Sequence, residues 1–212
     1  METERRILPS TEAGFRVEKR DDGKTYLRGT AIVFNKLSET IYGFREKIDP
    51  SACDGAEMDN IICKFNHDIN EVLGTTWART LTYNIDASGV HYEVELPETE
   101  TGRTVKVLAE RGDLRGNSFE FIPKEEQWNE TREGDRTLYT RTILKFEGVY
   151  DFAPVMRPAY PDTNGSISIG QRSFENFKQS LASQDPDEQT PQEPPVKQDS
   201  RTRLIKLENN IY

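Results

Sequence analysis

From Phe15 onward the chain breaks into short runs of alternating apolar and polar residues, separated by clusters of Asp, Asn and Gly. Alternation with period two marks a strand with one buried face, because successive side chains point to opposite sides. Phe15-Arg16-Val17-Glu18 has this pattern, Asp21-Asp22-Gly23-Lys24 supplies a turn signal, and Tyr26 to Phe34 reads as the returning strand. Ile41 to Ile48 and Ile61 to Phe65 are further strand candidates. Leu81 to Ile85 and Val90 to Leu96 flank Asp86-Ala87-Ser88-Gly89 and predict a second hairpin. In its second arm Val90, Tyr92, Val94 and Leu96 face one way, and His91, Glu93 and Glu95 the other.

One segment has helical rather than strand periodicity. Thr101 to Arg111 carries Val105, Leu108 and Ala109 on one stripe, with Gly112 where a C-cap belongs. Leu114 to Ile122 then reads as a strand, and Thr137 to Phe146 and Val149 to Met156 complete a β-rich body, with Glu133-Gly134-Asp135 as a turn. The pattern predicts three parts: a flexible arm over residues 1–12, a folded domain over 13–170, and a disordered linker and tail over 171–212. Gln184 to Ser200 holds four prolines among Gln, Asp and Glu and cannot bury enough apolar surface to fold. Leu204-Ile205-Lys206-Leu207 is a short sticky segment that reads as a docking peptide or a fragment of helix.

Composition narrows the function. The 212 residues include 37 acidic and 28 basic side chains, a formal net charge of -9. That balance argues against a general nucleic-acid binder, which needs a basic face to replace counterions on phosphate. Met1 to Pro9 has no apolar run, which predicts neither a signal peptide nor a membrane anchor. Cys53 and Cys63 are too few for a disulfide framework and read as reduced thiols. With only His67 and His91 beside them, a Cys/His zinc site is disfavoured.

Two residues suit acyl-transfer chemistry. His67, in Phe65-Asn66-His67-Asp68 just past an apolar strand, is placed as a general base; a solvated loop histidine bonded to Asp68 is the plainer reading. Ser118 opens a run of alternating aromatics after a Gly-rich turn, in Arg111-Gly112-Asp113-Leu114-Arg115-Gly116-Asn117-Ser118-Phe119-Glu120-Phe121. Phe119 and Phe121 are expected to face the core, so that Ser118 and Glu120 face out. A serine nucleophile needs a base and N–H groups aimed at the developing oxyanion. The segment lacks the GxSxG elbow, which disfavours an α/β-hydrolase. Glu93 with Glu95, and Glu98 with Glu100, are read as a solvated strand face and a helix start.

The order of these motifs resembles the prohead protease family of tailed phages, which is distantly similar to herpesvirus assemblins. The resemblance covers roughly residues 27 to 163. It runs through Arg28-Gly29-Thr30-Ala31-Ile32-Val33-Phe34-Asn35, the segment from Phe44 to Ala52, Asn66-His67-Asp68 with Leu73-Gly74, and the Ser118 stretch. It ends with Asp151-Phe152-Ala153-Pro154-Val155 and Pro158-Ala159-Tyr160-Pro161. Ser51 and Cys53 stand where the family usually has Gly and Phe, and Ala153 where a serine is common.

The resemblance implies an α+β, mostly antiparallel β-barrel flanked by a few helices, assemblin-like, followed by the disordered tail. It implies a serine endopeptidase with His67 as base, Ser118 as nucleophile and Asp151 as orienting carboxylate; Glu147 and Asp68 are rivals for the third place. Asn117, Gly116 and Arg157 are the candidate oxyanion contributors. No metal, cofactor, nucleic acid or membrane is implied. The implied partners are the major capsid protein with its scaffolding segment and the protein itself, by self-association and autocleavage, inside the immature capsid in the host cytoplasm. A catalytically inactive assembly factor of the same fold is the alternative, and an oxygen-ligated metal hydrolase a third class.

Overall fold

The computed structural model describes residues 3–41, 43–156, 168–183 and 201–206. Its elements are β1 (Glu4–Pro9), α1 (Ser10–Ala13), β2 (Arg16–Lys19), β3 (Thr25–Val33), β4 (Phe44–Ile48), β5 (Ile62–Lys64), β6 (Val72–Thr75), β7 (Leu81–Asp86) and β8 (Gly89–Glu95). They continue with α2 (Glu100–Arg111), β9 (Gly116–Glu133), β10 (Arg136–Val155), α3 (Ser168–Ala182) and β11 (Arg201–Lys206). The fold is mostly β with few helices, in two sheets. The larger runs β1-β9-β10-β5-β6, with β11 beside β9 and β4 beside β10; the smaller runs β2-β3-β8-β7. β4 and β5 join β10 in parallel and the other ladders are antiparallel. Among the described residues no ladder closes the sheets into the expected barrel.

Where turn chemistry and alternation agree, the predicted elements form. Val90, Tyr92, Val94 and Leu96 are buried, while His91, Glu93 and Glu95 are only partly so. The carboxylates of Glu93 and Glu95 pair with Arg20, Arg28 and Lys24 across the surface of the smaller sheet. In α2, the Thr99 side chain accepts from the Gly102 N–H at the N-cap, Val105 is buried, and Gly112 ends the helix at φ +76.

The core between the sheets is aromatic and β-branched. Phe119 stacks on Phe121 at 5.1 Å between ring centroids, and Tyr92 stacks on Phe152 at 5.4 Å. The backbone of the Ser118 stretch is therefore fixed from behind by rings that bury a large apolar area.

Three expectations are corrected. The two strands expected between Thr137 and Met156 are one strand, β10, which pairs with β9 through several register shifts. Each shift absorbs one extra residue and lets the ladder continue.

Residues 1–12 are not a loose arm. β1 pairs with β9 over six register positions, and Glu4 is fully buried with its carboxylate on Arg141. Arg141 also meets Glu46 and Glu126, and Arg6 meets Glu46. Charges at a polar-looking N-terminus thus fill an interior network rather than face water.

The folded body also extends past residue 170. In α3, Phe174, Phe177 and Leu181 lie at helical spacing. Phe174 and Phe177 are buried against Trp128, at 5.2 and 5.6 Å between centroids, and Phe44 completes the cluster. The neighbouring Pro- and Gln-rich run hid this stripe in the sequence. β11, which overlaps the sticky segment at Leu204–Lys206, pairs antiparallel with Glu125–Glu130 of β9.

Candidate active site

Four pieces of chain converge on one face of the larger sheet. On β9, Ser118 and Glu120 are two apart and so point the same way, opposite to Phe119 and Phe121. Across the ladder Ser118 stands opposite Ala153, and Glu120 opposite Asp151. On the other side of β9, Ile7 and Arg5 of β1 stand opposite the same two residues.

A bulge aims Asp151. Val149 pairs with Phe121 in the core, and two residues on an unbroken strand would share its face. The register shift between Val149 and Asp151 inserts Tyr150 and turns Asp151 to the Ser118 side.

His67 comes from the turn after β5. Asn66 and His67 both have positive φ, 53° and 62°, a conformation that costs a non-glycine residue about 1–2 kcal/mol. The Asn66 side-chain oxygen accepts from the Met156 N–H at 3.0 Å, which ties this turn to the end of β10. The strain is thus held at the point where the imidazole is presented.

The His67 Nδ1 is 2.7 Å from Asp151 Oδ2, and Lys64 Nζ is 3.0 Å from the same oxygen. Asp151 is 1% exposed, and its Oδ1 has no hydrogen-bond partner. Ser118 is fully buried and its Oγ is likewise without a partner, so the serine–imidazole hydrogen bond is not formed in this closed arrangement. As diagonal neighbours on one face of an antiparallel ladder, Ser118 and Asp151 are about 7–8 Å apart. That span is one an imidazole held on Asp151 can bridge.

The chain matches the caudovirus prohead serine protease family over residues 13–180. It belongs to that family. No curated protein and no solved structure gives a match.

In this member of the prohead serine protease family the rivals for the third place lie elsewhere. Asp68 is exposed and its Oδ1 accepts from the backbone and side chain of Asn70, both at 2.9 Å. Glu147 sits four residues before Asp151 along β10, and its carbonyl accepts from the Glu57 N–H.

Of the oxyanion candidates, Asn117 is buried with its side chain turned to the core. Its Oδ1 accepts from the Tyr92 hydroxyl at 2.8 Å, leaving only its backbone for the site. Gly116 pairs with Pro9 of β1, and a Cβ there would lie 2.4 Å from the Leu8 carbonyl oxygen. Its missing side chain lets β1 close on β9. Arg157 lies outside the described residues. His91 is far from this chemistry; its ring nitrogens meet Thr30 and Ser88 at 3.0 and 2.9 Å on the smaller sheet.

Two charged neighbours were not singled out in the sequence. Lys64 precedes His67 by three residues and reaches Asp151. Glu120 shares the Ser118 face of β9; its Oε1 accepts from Thr3 Oγ1 at 2.7 Å and its Oε2 from Arg5 Nε at 2.9 Å. Burial opposes ionisation of Glu120, but the Thr3 hydroxyl and the Arg5 charge outweigh it and hold the carboxyl below its usual range. Beneath the site, burial and then the Asp151 charge push the Cys63 thiol well up, so it stays protonated. His67, Glu120 and Asp151 each place one ligand-type atom within 4.8 Å of the others. Lys64 and Arg5 already offset the two carboxylates, which weakens the attraction such a cluster would have for a cation.

Proposed function

We propose that this protein is a serine endopeptidase of phage head maturation, with Ser118 as nucleophile, His67 as general base and Asp151 as the carboxylate that orients the imidazole. The observation that carries the reading is the 2.7 Å bond from His67 to Asp151, made on the sheet face that also bears an unpartnered Ser118 hydroxyl. Ser118 Oγ attacks the peptide carbonyl while His67 takes its proton; His67 then gives the proton to the leaving amine, and water releases the acyl group by the same steps in reverse order. Asp151 fixes the tautomer with Nδ1 bearing hydrogen and stabilises the imidazolium. Backbone N–H groups near Gly116 and Asn117, with Arg157, are the candidate oxyanion donors.

The substrates on this reading are the scaffold or the scaffolding segment of the major capsid protein, and the protein's own C-terminal tail, inside the immature capsid in the host cytoplasm. Among the described residues no helix is long and apolar enough to cross a membrane.

One observation favours a second reading. Ser118 is fully buried, so a substrate carbonyl reaches it only after a rearrangement. A chain that never rearranges would be an assembly factor of the same fold without activity. The test is incubation of the full chain and Ser118→Ala with a fluorophosphonate probe and with capsid protein. The protease reading expects Ser118-dependent labelling and Ser118-dependent cleavage. Equal behaviour of the two proteins, with capsids still maturing, decides for the assembly factor.

A further inference from the structure

We propose that Glu120 is a positioning residue of this site: a second carboxylate that acts on His67 from the nucleophile's own strand and is itself set by Arg5 of β1 and by Thr3 just before that strand. The inference rests on the serine-protease reading above. It starts from an arrangement that needs a reason. Glu120 and Asp151 stand directly opposite each other across the β9–β10 ladder, and an oxygen of each lies within 4.8 Å of a ring nitrogen of His67 and of the other. Like charges placed so repel.

The charged groups around His67 account for the pair. Asp151 comes from β10, Lys64 from β5, Glu120 from β9 and Arg5 from β1. On the turn of His67 itself, Asp68 faces solvent and is engaged with Asn70. Lys64 sits on the same Asp151 oxygen as His67, so part of the Asp151 charge is already offset by an ammonium. When His67 takes a proton, two cations would share one carboxylate. Glu120 supplies the second.

Arg5 does not cancel it fully. The Arg5 side chain is 35% exposed and screened by water, whereas the Glu120 side chain is 17% exposed and faces the buried site. The ladder places Ile7 beside Ser118 and Arg5 beside Glu120, so β1 fixes the rotamer of the second carboxylate as it covers the edge next to the nucleophile.

The test uses full-length Glu120→Gln and Arg5→Ala. The first readout is the ring-proton NMR titration of His67, separated from His91 by His91→Asn. The second is the rate and pH profile of fluorophosphonate labelling, in which Ser118 Oγ bonds to phosphorus, fluoride leaves and the hydroxyl proton passes to the base. Thermal unfolding runs beside both.

Glu120→Gln keeps an acceptor for Arg5 and is expected to melt near wild type. Its His67 ring titrates at lower pH by about half a unit to one unit, as a lost charge within 4.8 Å implies in a partly aqueous setting. Labelling at neutral pH slows by about three- to tenfold, and its acid limb moves to lower pH. Arg5→Ala moves the ring titration the opposite way, a reversal that loosened packing does not produce. An unchanged His67 titration in both variants overturns the proposal. Labelling absent from the wild type, with the NMR shifts present, overturns the protease reading and leaves the coupling standing.

Discussion

His67 and Asp151 are joined at 2.7 Å across 84 residues of sequence, and the bond exists because a bulge at Tyr150 turns Asp151 out of the core. An amide in place of that carboxylate keeps its size but presents an N–H where an acceptor is required, which favours the wrong imidazole tautomer. Asp151→Asn is therefore expected to fold and to lose activity by about 10³- to 10⁴-fold. Cleavage of capsid protein by the purified variant, followed on a gel, is the measurement; activity within tenfold of wild type would remove Asp151 from the mechanism.

Ser118 makes the complementary prediction about stability. A buried hydroxyl without a partner costs about 1–3 kcal/mol, and Ser118 Oγ is such a group in this closed arrangement. Ser118→Ala should abolish labelling and cleavage yet leave the protein as stable as wild type or up to about 1 kcal/mol more stable. Urea unfolding of both proteins checks this. A variant destabilised by more than 1 kcal/mol would mean that the hydroxyl is satisfied in solution.

Elements set by local signals were legible in the sequence, and those set by long-range pairing were not. Hairpins with Asp-Gly or Ser-Gly turns and clean alternation were legible at β2–β3 and β7–β8, because period and turn chemistry are local. The helix over Glu100–Arg111 was legible for the same reason. The contact of His67 with Asp151 was reachable only through the family resemblance, since a bulge that flips one carboxylate leaves no mark in periodicity. β1 looked like a solvated arm because Glu4 and Arg6 read as surface charges until Arg141 and Glu46 are placed beside them. The stripe of Phe174 and Phe177 in α3 has a partner, Trp128, on the far side of the sequence. In each case the missing information was a long-range pairing, which no window of ten residues contains.

That pairing sets a prediction for α3. Phe177 is 1% exposed, stacked on Trp128 and edge-on to Tyr139. Truncating it removes one of the two buried rings, with Phe174, that fasten the helix to the β4–β9–β10 surface. Phe177→Ala is expected to cost about 3–5 kcal/mol, while Asn176→Ala, on the exposed face of the same helix, leaves stability within about 0.5 kcal/mol. Chemical denaturation distinguishes the two; an equal, small effect of both changes would show that α3 contributes little to the folded body.

Glu4 predicts how the fold responds to acid. Burial alone would raise its carboxyl, but the charges and hydrogen bonds of Arg141 and Arg6 outweigh burial and lower it from the ordinary value of 4.5. The folded protein thus holds this proton less tightly than the unfolded chain does. The stabilisation is complete above about pH 4.5 and is lost as pH falls through the lower folded value. Glu120 acts with the same sign, through Thr3 and Arg5. Replacing Glu4 by Gln leaves Arg141 one carboxylate short in the interior, and at pH 7 this is expected to cost about 3–5 kcal/mol. Because the variant has no Glu4 carboxylate to titrate, its unfolding free energy should fall less steeply than that of wild type between pH 5 and pH 3, within about that range. Urea midpoints measured at each pH give both curves. If they run parallel, Glu4 does not drive the acid response, and the buried network around Arg141 owes its place to packing alone.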